Sequence, residues 1–166
     1  MTTASVGLRR AFSRRALLGA ALLLVGGCLS DPTSSSSPSN PATETYAAAL
    51  GVNISAMTKI NDNLYYQDLV VGTGADATNG KTLSMTYTGW LANGNKFDSN
   101  VGGAAFSFKL GSGMVIPGWD LGVAGMKVGG KRRLVIGSNL GYGPQGTGPI
   151  PANATLVFDV ELKSAQ

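Results

Sequence analysis

From Lys59 onward, apolar and polar residues alternate in short runs separated by glycine-rich turns. Leu83, Met85 and Tyr87 alternate with Thr82, Ser84 and Thr86, the period of a strand with one buried face. Phe106 and Phe108 flank Ser107, and Leu134 and Ile136 flank Val135. Near the end, Leu156, Phe158, Val160 and Leu162 alternate with Val157, Asp159, Glu161 and Lys163. Asn93-Gly94, Gly102-Gly103 and Gly111-Ser112-Gly113 mark turns between the runs. Pro117-Gly118 precedes Trp119 to Met126, which predicts one short helix with Pro117 near its start. The pattern predicts an α+β domain, an antiparallel sheet with one short α-helix against one face.

The first part of the chain follows other rules. Arg9 to Arg15 carry positive charge, Ala16 to Val25 are apolar, and Gly26 and Gly27 are small. That order is the order of an export signal. The apolar run is about half of the ~20 residues that a membrane-spanning helix needs. Val25-Gly26-Gly27-Cys28 resembles the lipobox of bacterial lipoproteins, which implies cleavage after Gly27 and lipid on Cys28. Ser13-Arg14-Arg15-Ala16-Leu17-Leu18 also resembles a twin-arginine export motif, so the export route stays open. From Ser30 to Ala42 the chain is Ser, Pro, Thr and Asn with one charge, Asp31, a composition that suits a tether. Tyr46 to Met57 has apolar residues near helical spacing and reads as a short helix or more tether. The expected organisation is a lipoprotein-type signal over 1–27, a tether over 28–58 and the folded domain over 59–166. The expected location is membrane-anchored through lipid and facing the periplasm. Leu29 after the cysteine, rather than aspartate, favours the outer membrane over the inner.

Charge and composition narrow the chemistry. The chain has 13 basic and 9 acidic residues, but four arginines lie in the leader, leaving nine of each sign. No basic excess remains to neutralise phosphates, so no nucleic-acid partner is expected. There is no histidine and one cysteine. A histidine-based triad, an internal disulfide and a His/Cys zinc site are therefore excluded. No long apolar stripe points to an obligate dimer, so a monomer is expected. Gly141-Tyr142-Gly143-Pro144-Gln145-Gly146 matches a dinucleotide-loop pattern in letters only, since Pro144 interrupts it and no helix follows. Lys131-Arg132-Arg133 reads as the solvated start of a strand.

Five blocks carry a family resemblance. Tyr87-Thr88-Gly89-Trp90, Gly94-Asn95-Lys96-Phe97-Asp98-Ser99, and Phe106-Ser107-Phe108-Lys109-Leu110-Gly111 are three of them. The others are Val115-Ile116-Pro117-Gly118-Trp119 and Ala154-Thr155-Leu156-Val157-Phe158-Asp159-Val160-Glu161-Leu162. In order and spacing the set resembles peptidyl-prolyl cis/trans isomerases of the FKBP type, from about Leu64 to Leu162. The resemblance implies a twisted antiparallel sheet wrapped around one short helix, with an apolar pocket between them. It places Trp119 at the pocket floor, with Phe97, Phe106, Val115 and Phe158 as substrate-binding walls. It places Tyr87, Asp98, the Ile116 N–H and Tyr142 at the catalytic edge. It implies proline-containing polypeptide clients, macrolide immunosuppressants as pocket ligands, and no cofactor or metal.

The residue types suit that chemistry independently. Rotation about a peptide bond faces a barrier of ~18–20 kcal/mol because the amide loses resonance. X–Pro isomers differ by only ~0.5–1 kcal/mol yet exchange slowly. A catalyst needs only to favour the twisted amide over the planar one. An apolar pocket does so by stripping water from the carbonyl, and it needs no nucleophile. A phenol and a carboxylate in apolar segments want partners, so Tyr87 and Asp98 are expected to pair. The chain departs from the family at three places. Residues 99–105 contain no arginine to hold Asp98, Thr147-Gly148-Pro149 stands where relatives often carry histidine, and Thr86 precedes Tyr87 where histidine is common. Two other readings stay open: a non-catalytic module that holds proline-containing segments, and a surface interaction lipoprotein using the fold as scaffold.

Overall fold

The computed structural model describes residues 37–166. The expectations for the export signal, for Cys28 and for the first part of the tether lie outside those residues. The described strands are β1 (Thr58–Asn61), β2 (Leu64–Val70), β3 (Thr82–Leu91), β4 (Lys96–Ser99), β5 (Phe106–Lys109), β6 (Lys131–Ile136) and β7 (Leu156–Ala165). Among the described residues one α-helix, α1 (Pro117–Gly122), lies between β5 and β6 in sequence, and three single 3-10 turns cover Ala48–Leu50, Ile54–Ala56 and Ser138–Leu140. The sheet order is β1-β2-β6-β7-β3-β4, and β5 also pairs with β3. Every pairing is antiparallel. The expected α+β class is the class observed.

β4 and β5 share one side of β3. β5 pairs with Thr82 to Met85, and β4 pairs with Thr88 to Trp90. The gap between them falls beside Tyr87. There Asn100 replaces the missing ladder: its Oδ1 accepts the Tyr87 N–H at 2.7 Å, and its Nδ2 donates to the Met85 and Ala104 carbonyls. The chain thus detours around Tyr87 without leaving its N–H unsatisfied.

The inner sheet face carries the main core, including Leu64, Leu83, Met85, Leu134, Ile136, Leu156 and Leu162, all fully buried. α1 covers this face at close range. A Cβ on Gly118 would lie 2.5 Å from Ile136 Cγ2, and one on Gly122 would lie 2.8 Å from Leu134 Cδ2. Only glycine lets the helix backbone settle onto β6 at that distance. Pro117 at the first helical turn presets the backbone for the helix. The helix is shorter than the expected Trp119 to Met126. It ends at Gly122, and Gly125 turns left-handed at φ 74°.

Arg132 explains how that short end is tolerated. Its guanidinium donates to the Gly122 and Ala124 carbonyls at 2.8 and 3.2 Å, to both Asp68 oxygens, and lies 4.1 Å over the Tyr66 ring. These bonds satisfy carbonyls that a helix end leaves free, and the cation suits the helix C-terminus. Arg132 is buried, so the expected solvated strand start is corrected at this residue. Arg133 is also engaged, forking onto Asp159 and donating to the Leu50 carbonyl.

The outer face differs from expectation. Val135 and Val157 sit at positions expected to face solvent, yet both are fully buried. They pack with Leu50, Met57 and Tyr65 in a second cluster, with Tyr46, Val52 and Trp90 against it. The segment 37–58, expected as tether, therefore covers the sheet. It is fastened by paired Ser39–Ser138 bonds of 3.1 and 2.9 Å and by the Ala47 N–H on the Ala92 carbonyl, while the Tyr46 hydroxyl donates to the Pro41 carbonyl within the segment. The reason is apolar content: Tyr46, Leu50 and Met57 have surface to bury, which the Ser/Pro stretch lacks.

Leu50→Ala should lower stability by ~2–3 kcal/mol in urea denaturation, the lower range for a buried leucine. A free tether would give a change within about 0.5 kcal/mol, as for surface positions.

Candidate functional site

The sequence-predicted residues converge. Tyr87, Phe97, Asp98, Phe106, Val115, Ile116, Trp119, Tyr142 and Phe158 all line one pocket of about 420 Å³, joined by Gly113 and Met114. Cys28, the expected lipid acceptor, lies outside the described residues. The pocket lining comes from β3, β4, β5 and β7, from the start of α1 with the loop before it, and from Tyr142.

Each wall has a local cause. Trp119 is the second residue after Pro117 and is buried, so the glycine-mediated approach of α1 to β6 sets its depth. Around it the rings meet edge to face: Tyr87 at 5.1 Å and 86°, and Phe158 at 5.4 Å and 85°. Phe97 meets Phe158 at 5.4 Å and 88°. Such crossings suit the ring quadrupole and fix the wall shapes. Gly89 makes the Phe97–Phe158 pair possible. A Cβ there would fall 2.6 Å from Phe97 and 2.8 Å from Phe158. The Trp119 indole N–H is buried with no acceptor among the described residues, a cost the floor carries.

Polar groups are few. The Tyr87 hydroxyl donates to Asp98 Oδ2 at 2.5 Å, the pairing expected from the sequence. The other carboxylate oxygen accepts the Ser99 N–H at 2.8 Å. With no arginine in the following loop, these two donors hold Asp98. Burial first, then the bond to Asp98 and its charge, push the Tyr87 hydroxyl up to about 12. The phenol is therefore a proton donor throughout the neutral range. Burial, then the Asp98 charge, also raises the Tyr142 hydroxyl. At the helix entrance, the Ile116 carbonyl accepts from Trp119 and Asp120, while its N–H donates to nothing among the described residues. An apolar chamber with the Ile116 N–H and a phenol–carboxylate pair at its edge can hold a small ring and grip an adjacent carbonyl.

Three positioning residues escaped the sequence reading. Asn100 fixes the Tyr87 backbone, as described above. Asp120, in the first turn of α1, accepts the Gly111 N–H at 2.9 Å and the Gly113 N–H at 3.1 Å, which pins the rim loop carrying Met114 and Val115. Gly89 was read only as part of a motif. An acid in a helix's first turn is a usable signal for Asp120. Nothing in the local sequence singles out Asn100.

Fold and pocket together define a small antiparallel domain with an aromatic-walled pocket at the start of its helix. Residues 74–163 match the model of the family described as FKBP-type peptidyl-prolyl cis-trans isomerase. The chain belongs to that family. It is 54% identical over 109 residues to FK506-binding protein 4 of Rhizopus delemar, covering 65% of this chain and 28% of that one. It is 48% identical over 105 residues to a peptidyl-prolyl cis-trans isomerase of Saccharomyces cerevisiae, covering 63% of this chain and 26% of that one. The crystal structure of FkpA from Escherichia coli resembles it at a TM-score of 0.62 and 37% identity, over 72% of this chain and 55% of that one. The chain thus spans about a quarter of the length of these two curated relatives.

The Tyr87 hydroxyl yields a pH prediction. Its folded value lies above its ordinary 10.0, so its contribution to stability is complete below pH 10 and is lost as pH rises toward 12. The stability advantage of the wild-type chain over Tyr87→Phe should therefore shrink across that interval in urea titrations. An advantage that stays constant to pH 12 would contradict the partly buried, Asp98-bonded phenol.

Proposed function

We propose that the chain is a peptidyl-prolyl cis/trans isomerase acting on proline-containing segments of exported polypeptides. The observation that carries this reading is the single pocket in which the Trp119 floor, the free Ile116 N–H and the Tyr87–Asp98 pair meet. The pyrrolidine ring rests on Trp119 between Phe97, Phe106 and Phe158. The carbonyl before the proline leaves water for an apolar wall. Loss of hydration weakens the planar, charge-separated amide more than the twisted one, so the barrier to rotation falls. Ile116 N–H holds the carbonyl that follows the proline, which orients the ring while the preceding bond turns. Tyr87, oriented by Asp98, and Tyr142 face the rotating carbonyl. Macrolide immunosuppressants fill the same apolar volume and compete with clients, in line with the name of the FK506-binding relative.

The setting is part of the same proposal. Export, lipid on Cys28 and a periplasm-facing position, at the outer rather than the inner membrane, rest on Arg9 to Leu29 alone. The two curated relatives above are fungal, so support for an exported lipoprotein form comes from those residues and not from them.

A proline-limited refolding assay tests the activity. The full chain should accelerate the slow phase, and Phe97→Ala should reduce kcat/KM by about tenfold or more while remaining folded, through lost ring contact. A folded Phe97→Ala variant with the wild-type rate would remove the pocket from the mechanism. No acceleration by the wild-type chain would favour a proline-binding module instead. For the anchor, Cys28→Ser should move the chain from the membrane to the soluble fraction and end labelling by a radioactive fatty acid. Unchanged labelling would overturn the lipid assignment.

A further inference from the structure

Met114 is the one methionine of the described residues that solvent reaches freely. It is 64% exposed, against 8% for Met57, 0% for Met85 and 3% for Met126. It also lines the pocket. Its neighbours at the mouth, Phe106 and Tyr142, are 40% and 38% exposed, so the thioether completes an apolar rim. The rim loop holds it there: Gly111 and Gly113 both turn left-handed, at φ 77° and 70°, and both donate to the Asp120 carboxylate. The described residues contain no cysteine, so no thiol among them competes for oxidant.

We propose that Met114 is a reversible oxidation site that controls client entry to the pocket, an inference resting on the isomerase reading above. The reactant is a hydroperoxide. The thioether sulfur attacks one peroxide oxygen, the O–O bond breaks, and the sulfur loses two electrons to become a sulfoxide. For hydrogen peroxide the other oxygen leaves as water. The buried methionines are shielded from this attack, so the chemistry is selective by access. Oxidation replaces a flexible apolar group by a polar, chiral one with a strong acceptor oxygen. A client docking against that rim must strip water from the sulfoxide, where before it met a soft apolar surface. The penalty falls on binding of ground state and transition state alike, because Met114 is an exposed rim residue that takes no part in the Tyr87–Asp98 hydrogen bond. It therefore raises KM and spares kcat. Methionine sulfoxide reductases of both epimer specificities reverse the change.

The test uses the full folded chain and hydrogen peroxide. Sulfoxide is mapped by peptide mass, and steady-state isomerisation of a proline tetrapeptide with an apolar residue before proline is measured before and after treatment. Met114 should convert roughly tenfold faster than Met57, Met85 or Met126, as access dictates. KM should rise about three- to tenfold, the scale of a lost apolar contact, with kcat nearly unchanged. The two reductases together should restore KM. Met114→Leu should keep the same KM through peroxide treatment that it has before it. The inference is overturned if a buried methionine oxidises first, if the Met114 sulfoxide leaves KM unmoved, or if Met114→Leu suffers the same loss. An untreated chain without isomerase activity would instead defeat the isomerase reading, and with it the control of client entry.

Discussion

The contact between α1 and β6 sets the geometry on which the rest depends. Gly118 and Gly122 let the helix backbone lie against Ile136 and Leu134 at distances no side chain would allow. That approach fixes the depth of Trp119 and the position of Ile116 at the helix entrance. Beside the helix start lies the pocket walled by β3, β4, β5 and β7. A helix of six residues is too short to be stable alone, so tertiary contacts must hold it. Arg132 supplies one from beneath, capping the helix end, and Asp120 supplies another from above, tying the helix to the rim loop.

The second consequence is the interrupted edge beside Tyr87. A continuous partner strand there would place side chains over the pocket mouth. The chain instead runs as β4 and β5 with a loop between them, and Asn100 supplies the bonds that the ladder lacks. Tyr87 can then point its ring toward Trp119 while its hydroxyl reaches Asp98. Sheet pairing and site chemistry are thus solved by the same residues. The loop without arginine is compatible with a held carboxylate because Tyr87 and the Ser99 N–H each bond one of its oxygens.

Much of this was legible from residue order. The alternation through Leu83, Met85 and Tyr87, and through Leu156, Phe158, Val160 and Leu162, placed two strands and their inward faces correctly, since period two survives in any half-buried strand. The Tyr87–Asp98 pair followed from the need of polar groups set in apolar segments for partners. What escaped were contacts made across long sequence separations. Val135 and Val157 looked solvent-facing because the segment carrying Leu50 and Met57, which covers them, lies about a hundred residues away from Val157. Arg132 looked solvated because its partners Asp68, Gly122 and Ala124 come together only when β2, β6 and α1 pack. Asn100 looked like an ordinary loop residue because its side chain acts on the backbone of a strand it does not follow.

In the proposed mechanism the pocket works by shape and desolvation, with Tyr87 and Asp98 acting as one positioned unit. A double-mutant cycle on kcat/KM for a proline tetrapeptide, using Tyr87→Phe, Asp98→Asn and both together, measures this directly. Each single variant should show a similar loss and the double variant little more, because either change breaks the same hydrogen bond. Fully additive losses would show that the two groups act independently and would contradict the proposed mechanism.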